Sequence, residues 1–289
     1  MTATIIDGKQ IAKQKREALA KEVEQLKLEG LTPKLVVILV GDSPASLSYI
    51  KGKRKAAEEI GIGFKLEHFS GDYSEKELLQ LINSYNNNSE FHGILVQLPL
   101  PKHISEKAVI EEISPLKDVD GFHPLNVGKM MIGQESFLPC TPAGIVEMIK
   151  SVGAEIKGKH VVVVGRSNIV GKPVGQLLLN EDATVTYCHS KTANLSEFTK
   201  VADILIAAVG RADFIKADDI KNGAVVIDVG VNRLDNGKLC GDVEFEKAKE
   251  VASFITPVPG GVGPMTITML AHNTVQSAKN QLKNLQGSK

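Results

Sequence analysis

The sequence predicts an α/β protein of two three-layer α/β domains, the second a Rossmann-type dinucleotide-binding domain, with a cleft between them. Three observations carry this. Short, wholly apolar runs alternate with longer amphipathic ones, the signature of parallel strands joined by helices. The stretch 159–175, KHVVVVGRSNIVGKPVG, reads as strand, glycine-bounded loop and helix start. The length, 289 residues, suits two domains of ~100–150 residues.

Taken in order, Asp7 is placed to cap a first helix. In it Ile11, Leu19, Val23 and Leu26 recur near helical spacing until Gly30. Residues 35–40 are an unbroken apolar run closed by Gly41, as in a strand buried on both faces. Asp42, Ser43 and Pro44 open a second helix, which runs to Gly61. Residues 64–69 alternate as a strand. Ser74 and Glu77 have capping-box spacing and open a helix to about Tyr85, followed by the polar turn 86–89. Residues 93–98 make a third buried strand, ended by Pro99 and Pro101. Segment 102–126 is denser in Pro, Asp and His and has no long periodic run. Thr141 and Pro142 open a helix over 143–151, and the domain boundary is expected at 139–141. After the glycine loop, 183–188, 204–208 and 224–229 are strand candidates. A short apolar piece, 253–256, runs into the loop PVPGGVGPMT, and a last helix covers about 266–285.

Lys+Arg and Asp+Glu both number 34, so no long-range field draws the chain to nucleic acid or an acidic membrane. No apolar run reaches membrane-spanning length, and the N-terminus lacks a signal peptide's apolar segment, so the cytoplasm is expected. Cys140, Cys188 and Cys240 are far apart and form no C-x-x-C, and no H-x-x-x-H occurs. Neither a disulfide framework nor a metal site is expected.

Six patterns carry chemistry. Between Gly165 and Gly171, free backbone amides and a helix N-terminus would face a dinucleotide pyrophosphate. The spacing is looser than G-x-G-x-x-G, so on the loop alone a structural βα turn is an equal alternative. The next strand ends in His189, Ser190 and Lys191 without a carboxylate, and Arg166 lies in the glycine loop. A guanidinium and a hydroxyl suit a 2′-phosphate, which points to NADP over NAD. The plain alternative has Ser190 capping the next turn and Arg166 in solvent. Tyr49 and Lys53, four apart, share one helix face. That face is either a solvated one or, if Lys53 is dehydrated, a source of neutral amine. Gln97 sits near the carboxyl end of a parallel strand, where α/β proteins bind ligands, or else satisfies local backbone. Asp118 and Asp120 flank a turn, and two carboxylates without a third ligand are poor grounds for a metal. The loop 257–266 is a ligand loop by its glycines or a connector by its composition.

These pieces resemble the bifunctional methylenetetrahydrofolate dehydrogenase/methenyltetrahydrofolate cyclohydrolase family in its bacterial form. Eight strings carry the resemblance in order: Y-I-K-G-K, V-Q-L-P-L-P, D-V-D-G-F-H-P, P-C-T-P-A-G, G-R-S-N-I-V-G-K-P, C-H-S-K-T, D-V-G-V-N and P-V-P-G-G-V-G-P-M-T. No chemical position departs from the pattern, and Val231 stands where many relatives have Ile. The resemblance implies NADP-dependent oxidation of methylenetetrahydrofolate, then hydrolysis of the methenyl cation to 10-formyltetrahydrofolate. It implies Lys53 as acid/base, Gln97 as its partner at the reacting region, Tyr49 against the folate and Asp120 on the pterin. Gly165, Arg166, Ser167, Ser190 and Val231 would line the NADP site. Pro257, Gly260, Gly261 and Thr266 would contact folate. It further implies a homodimer with a small-molecule folate substrate. The folate-binding catalytic domain, 1–139, would be completed by a C-terminal helix, 266–289, leaving 140–265 as the NADP-binding domain. Two rivals stay open. An NADP dehydrogenase for another small substrate, such as a hydroxy acid, leaves Y-x-x-x-K and the Pro/Gly loop unexplained. A silent NADP- or folate-binding module would bind without turnover.

Overall fold

The structure is a computed structural model and describes residues 2–287. The first half of the chain holds β1 (Thr4–Ile5), α1 (Gly8–Leu28), β2 (Lys34–Val40), α2 (Pro44–Ile60), β3 (Gly63–Phe69), α3 (Glu75–Asn86), β4 (Gly93–Val96), α4 (Glu106–Glu112), α5 (Pro124–Met131) and α6 (Cys140–Ser151). The second half holds β5 (His160–Val164), α7 (Gly171–Asn180), β6 (Thr184–Cys188), α8 (Leu195–Thr199), β7 (Ile204–Ala207), β8 (Val225–Asp228), β9 (Asn232–Arg233), β10 (Leu239–Cys240), α9 (Phe245–Ala248), β11 (Phe254–Ile255) and α10 (Val262–Gly287). The chain divides into two compact units. One comprises Gln14–Cys140 and the chain from Ile267 onward; the other comprises Thr141–Thr266 and the opening residues through Lys13.

In the first of these units a parallel three-stranded sheet has the order β3-β2-β4. Every β2 residue from Leu35 to Val40 is buried, so both faces of the central strand are covered. Val36, Ile38 and Val40 lie in one apolar cluster with Ile94 and Val96 of β4, Leu78, Ile82 and Tyr85 of α3, and Val109 of α4. The Ser74–Glu77 capping box closes the start of α3, as its spacing predicted. Gly61 ends α2 at φ +83°, a left-handed conformation that glycine adopts without cost.

Segment 102–126 is not irregular throughout, because α4 lies wholly within it and α5 begins there. Each has its own cap: Ser105 Oγ accepts from Ala108 N at 3.2 Å, and His123 Nδ1 accepts from Leu125 N at 3.1 Å. Helices of seven and eight residues are too short to show a period. β4 stops at Val96, so Gln97 and Leu98 lie beyond the strand end. Buried Asn273 on α10 donates through Nδ2 to the carbonyls of Val119 (2.9 Å) and Leu138 (3.0 Å). The C-terminal helix therefore belongs to this unit from Ile267; of the expected 266–289, residues 288 and 289 lie outside the described residues.

In the other unit a wholly parallel six-stranded sheet has the order β1-β11-β8-β7-β5-β6. Counted from β5, five strands run 2-1-3-4-5, a doubly wound order whose direction reverses between β5 and β7. Alternate strand residues Val162, Val164, Leu205, Ala207 and Val226 pack with Ile215, Val243 and Ala248 in its core.

The sixth strand corrects the expected grouping of 1–139. β1 pairs with β11, Thr4 beside Phe254 and Ile5 beside Ile255, so this strand joins the sheet and the described residues through Lys13 group with this unit. A two-residue strand carries no periodicity, and its partner lies at the other end of the chain. A second difference is at 257–266, where α10 already begins at Val262 and places Thr266 in its early turns. Pro264 near a helix start is tolerated because its missing N–H would be unpaired there anyway. Among the described residues no helix is long and apolar enough to cross a membrane.

Candidate active site

In the three-stranded unit, α2 presents Tyr49 and Lys53 one turn apart. Gln97 follows β4 at the carboxyl edge of the sheet. Lys53 Nζ donates to Gln97 Oε1 at 2.8 Å, and Gln97 Nε2 donates to the Leu98 carbonyl at 2.7 Å. The carboxamide is thus held at both ends, and its oxygen orients the amine. Burial drives the Lys53 pKa below the ordinary lysine value, while the charge of Asp120 opposes this. Tyr49 is 39% exposed, open to pack against a ligand.

The two carboxylates of 118–120 have separate jobs. Asp118 is buried and is the turn former: Oδ1 accepts from Gly121 N and Phe122 N, and Oδ2 from His123 N and Asn126 Nδ2, at 2.8–3.2 Å. That leaves Asp120 to interact with Lys53. Burial raises the Asp120 pKa to about 6, against the opposing pull of Lys53 and with a further push from Asp118. Cys140 joins this group: its Sγ donates to the Val119 carbonyl at 3.2 Å and also lies against Asp120. The spacing of the three cysteines gives no hint of this position. The place of Cys140 in P-C-T-P-A-G, one of the eight strings, was the available signal.

The six-stranded unit carries the other predicted residues. Gly165 follows β5 at φ +132°, and a Cβ there would fall 2.3 Å from the Ala208 carbonyl oxygen. A Cβ on Gly171 would fall 2.3 Å from Gly165 O. Only glycine lets this loop close so tightly onto the start of α7. Ser167 Oγ accepts from Val170 N (3.2 Å) and Gly171 N (3.3 Å), which holds the loop shut. Arg166 and Ser190 are exposed, and Val231 is 50% exposed after β8. A glycine loop leading into a helix at the point where strand order reverses fits a dinucleotide pyrophosphate. An exposed Arg and Ser, with no acid after β6, fit a 2′-phosphate.

Pro257, Gly260, Gly261 and Thr266 also lie in this unit. The structure groups them with the glycine loop, not with Tyr49, Lys53, Gln97 and Asp120. A Cβ on Gly261 would meet Pro257 O at 2.6 Å, so 257–261 is a tight backbone loop. Thr266 Oγ1 lies 2.9 Å from Thr141 Oγ1. The unit also holds two buried carboxylates, Asp228 and Asp242. Only Asp228 fell within a noted string, and nothing in the order of residues pairs it with Asp242.

A doubly wound sheet with a glycine loop at its reversal point, joined in one chain to a unit that buries a lysine amine, defines a dinucleotide-dependent α/β enzyme. Residues 6–120 match the family described as "Tetrahydrofolate dehydrogenase/cyclohydrolase, catalytic domain", and residues 139–282 match "Tetrahydrofolate dehydrogenase/cyclohydrolase, NAD(P)-binding domain". The chain belongs to the tetrahydrofolate dehydrogenase/cyclohydrolase family. It is 74% identical to "Bifunctional protein FolD" of Bacillus pumilus, over 98% of this chain and 100% of that one. Among solved structures it is similar to the bifunctional FolD methylenetetrahydrofolate dehydrogenase/cyclohydrolase of Campylobacter jejuni (TM-score 0.95, 50% identity, 96% and 99% of the two chains). It is also similar to the Trypanosoma brucei N5,N10-methylenetetrahydrofolate dehydrogenase-cyclohydrolase (FolD) complexed with NADP and an inhibitor (TM-score 0.94, 38% identity, 98% and 99%).

Proposed function

We infer that this chain is a bifunctional enzyme that oxidises 5,10-methylenetetrahydrofolate with NADP and hydrolyses the methenyl product to 10-formyltetrahydrofolate. Family membership across both units supports the two activities and the cofactor. The observation that carries the chemistry is the dehydrated Lys53 amine, fixed by Gln97 at 2.8 Å. NADP, when bound, accepts the hydride that leaves the methylene carbon. Gly165, Arg166, Ser167, Ser190 and Val231 are the residues we assign to hold it.

Hydride loss turns a neutral aminal into a delocalised cation, so that step asks the protein for geometry, not for a strong base. Hydrolysis asks for proton handling. A neutral Lys53 donates one N–H to Gln97 Oε1 and keeps its lone pair for a water proton. The water oxygen bonds to the methenyl carbon as that proton passes to Nζ. Lys53 then returns a proton to the ring nitrogen as its bond to this carbon breaks, and the remaining hydroxyl proton is released to water, giving the formyl C=O. A cationic substrate itself disfavours the ammonium form of Lys53. In this reading Gln97 also contacts the reacting region, Tyr49 packs on the folate, and Asp120 accepts from the pterin. Pro257, Gly260, Gly261 and Thr266 take the folate-loop role. A homodimer and a cytoplasmic location belong to the same reading. The open outer edge of β6 and exposed Tyr187 upon it support the former.

The test is to supply purified protein with methylenetetrahydrofolate and NADP, follow methenyl absorbance, and then follow its hydrolysis. Lys53→Met should lower the hydrolysis rate about 10²–10⁴-fold while leaving part of the dehydrogenase turnover. No methenyl formation by the parent protein would overturn the activity. Equal loss of both steps in a folded variant would overturn the role of Lys53.

A further inference from the structure

Asp242 is fully buried in the six-stranded unit and plays no part in the chemistry above. Its Oδ2 accepts from the backbone amides of Val209 (2.6 Å) and Gly210 (2.9 Å). Its Oδ1 accepts from Arg211 N (2.8 Å) and Asn232 Nδ2 (3.0 Å). One carboxylate therefore gathers three successive amides of the loop after β7 and the side chain that follows Val231. Asp228, the last residue of β8, holds Asp242 in turn. Its Oδ1 accepts from Gly230 N (3.0 Å) and Asp242 N (2.8 Å), and its Oδ2 from Val243 N (2.9 Å).

The backbone is shaped around these two groups. A Cβ on Gly230 would stand 2.1 Å from Asp242 Oδ1, and one on Gly241 1.8 Å from Asp228 Oδ2. The loop they fix starts at Ala208, whose carbonyl oxygen seats the Cα of Gly165. Gly165 and the 208–211 loop follow β5 and β7, the two strands between which the order reverses.

We propose that Asp242 is a positioning residue for NADP: it touches no ligand, but sets the 209–211 loop and the Val231 segment against the glycine loop. This rests on the NADP reading given above. All four partners of the Asp242 carboxylate are N–H donors, which only the ionised group satisfies. An Asn in its place turns an NH2 toward at least one of those donors and leaves it unpaired, so the loop must shift.

Asp242→Asn in the full chain should raise the KM for NADP about tenfold, the range of one lost charge-assisted contact, with kcat of the dehydrogenase within about threefold. Cyclohydrolase activity on methenyltetrahydrofolate, which uses no cofactor, should stay within about twofold. Asn232→Ala removes one of the four contacts and should raise the NADP KM by a smaller factor, with the same split. A folded Asp242→Asn protein with an NADP KM within twofold of the parent overturns the proposal. So does a parallel fall of dehydrogenase and cyclohydrolase, which marks a purely structural role. If Asp242→Asn fails to fold, Asn232→Ala decides on the same criteria. Failure of the parent protein to use NADP would instead sink the reading beneath it.

Discussion

At Lys53 two effects oppose each other: dehydration favours the neutral amine, and the charge of Asp120 favours the ammonium. Dehydration is the larger, so the cyclohydrolase rate should rise with pH through an inflection below the ordinary lysine value of about 10.4. Asp120→Asn deletes the charge that raises the Lys53 pKa. The acidic limb should therefore move to lower pH in that variant, measured as kcat against pH with saturating methenyltetrahydrofolate. A limb that moves upward would contradict the coupling, and one that vanishes would assign it to Asp120 itself, which titrates at about 6. The pairing of Lys53 with Gln97 was legible only through the resemblance to a family, since residues 44 apart share no local pattern. Asp118 and Asp120 show the same limit. The sequence offered a turn for both, and backbone amides converging on Asp118 show which carboxylate forms it.

At the scale of elements, the sequence was most legible where one principle ruled the segment. Buried parallel strands announced themselves as unbroken apolar runs, and β2 and β5 fall within a residue of expectation. The α3 start was legible because a capping box is written in four consecutive residues. The strand β1 and the helices α4 and α5 were not: the partner of β1 lies some 250 residues away, and helices of seven and eight residues are too short to show a period. The glycine loop was half legible: its layout was plain, and its tightness was not. Gly171→Ala would bring a Cβ to 2.3 Å from Gly165 O and 2.9 Å from Arg166 N, both backbone atoms that cannot swing aside. We expect at least about tenfold weaker NADP binding by calorimetry and ~1–3 kcal/mol lower stability in urea. Unchanged affinity would mean that the loop yields without disturbing the cofactor.

For the whole molecule, zero net charge removes any electrostatic bar to self-association. An edge strand such as β6, with Tyr187 40% exposed, is the kind of surface that natural proteins cover or pair. Sedimentation equilibrium at micromolar concentration should give twice the 31.1 kDa of one chain. A single-chain mass there would exclude the dimer.

The strand β1 has a consequence for how such a chain is made and divided. The polypeptide alternates between its two compact bodies, so neither is a contiguous stretch. Residues 4 and 5 leave the ribosome long before their mate β11, so the larger sheet stays unfinished until residues 254 and 255 have emerged. Cutting the gene at 140 would strip one half of its outermost strand and the other of the helix carrying Asn273. Dissecting the two activities onto separate polypeptides therefore calls for splicing distant segments together, not for choosing a cut site.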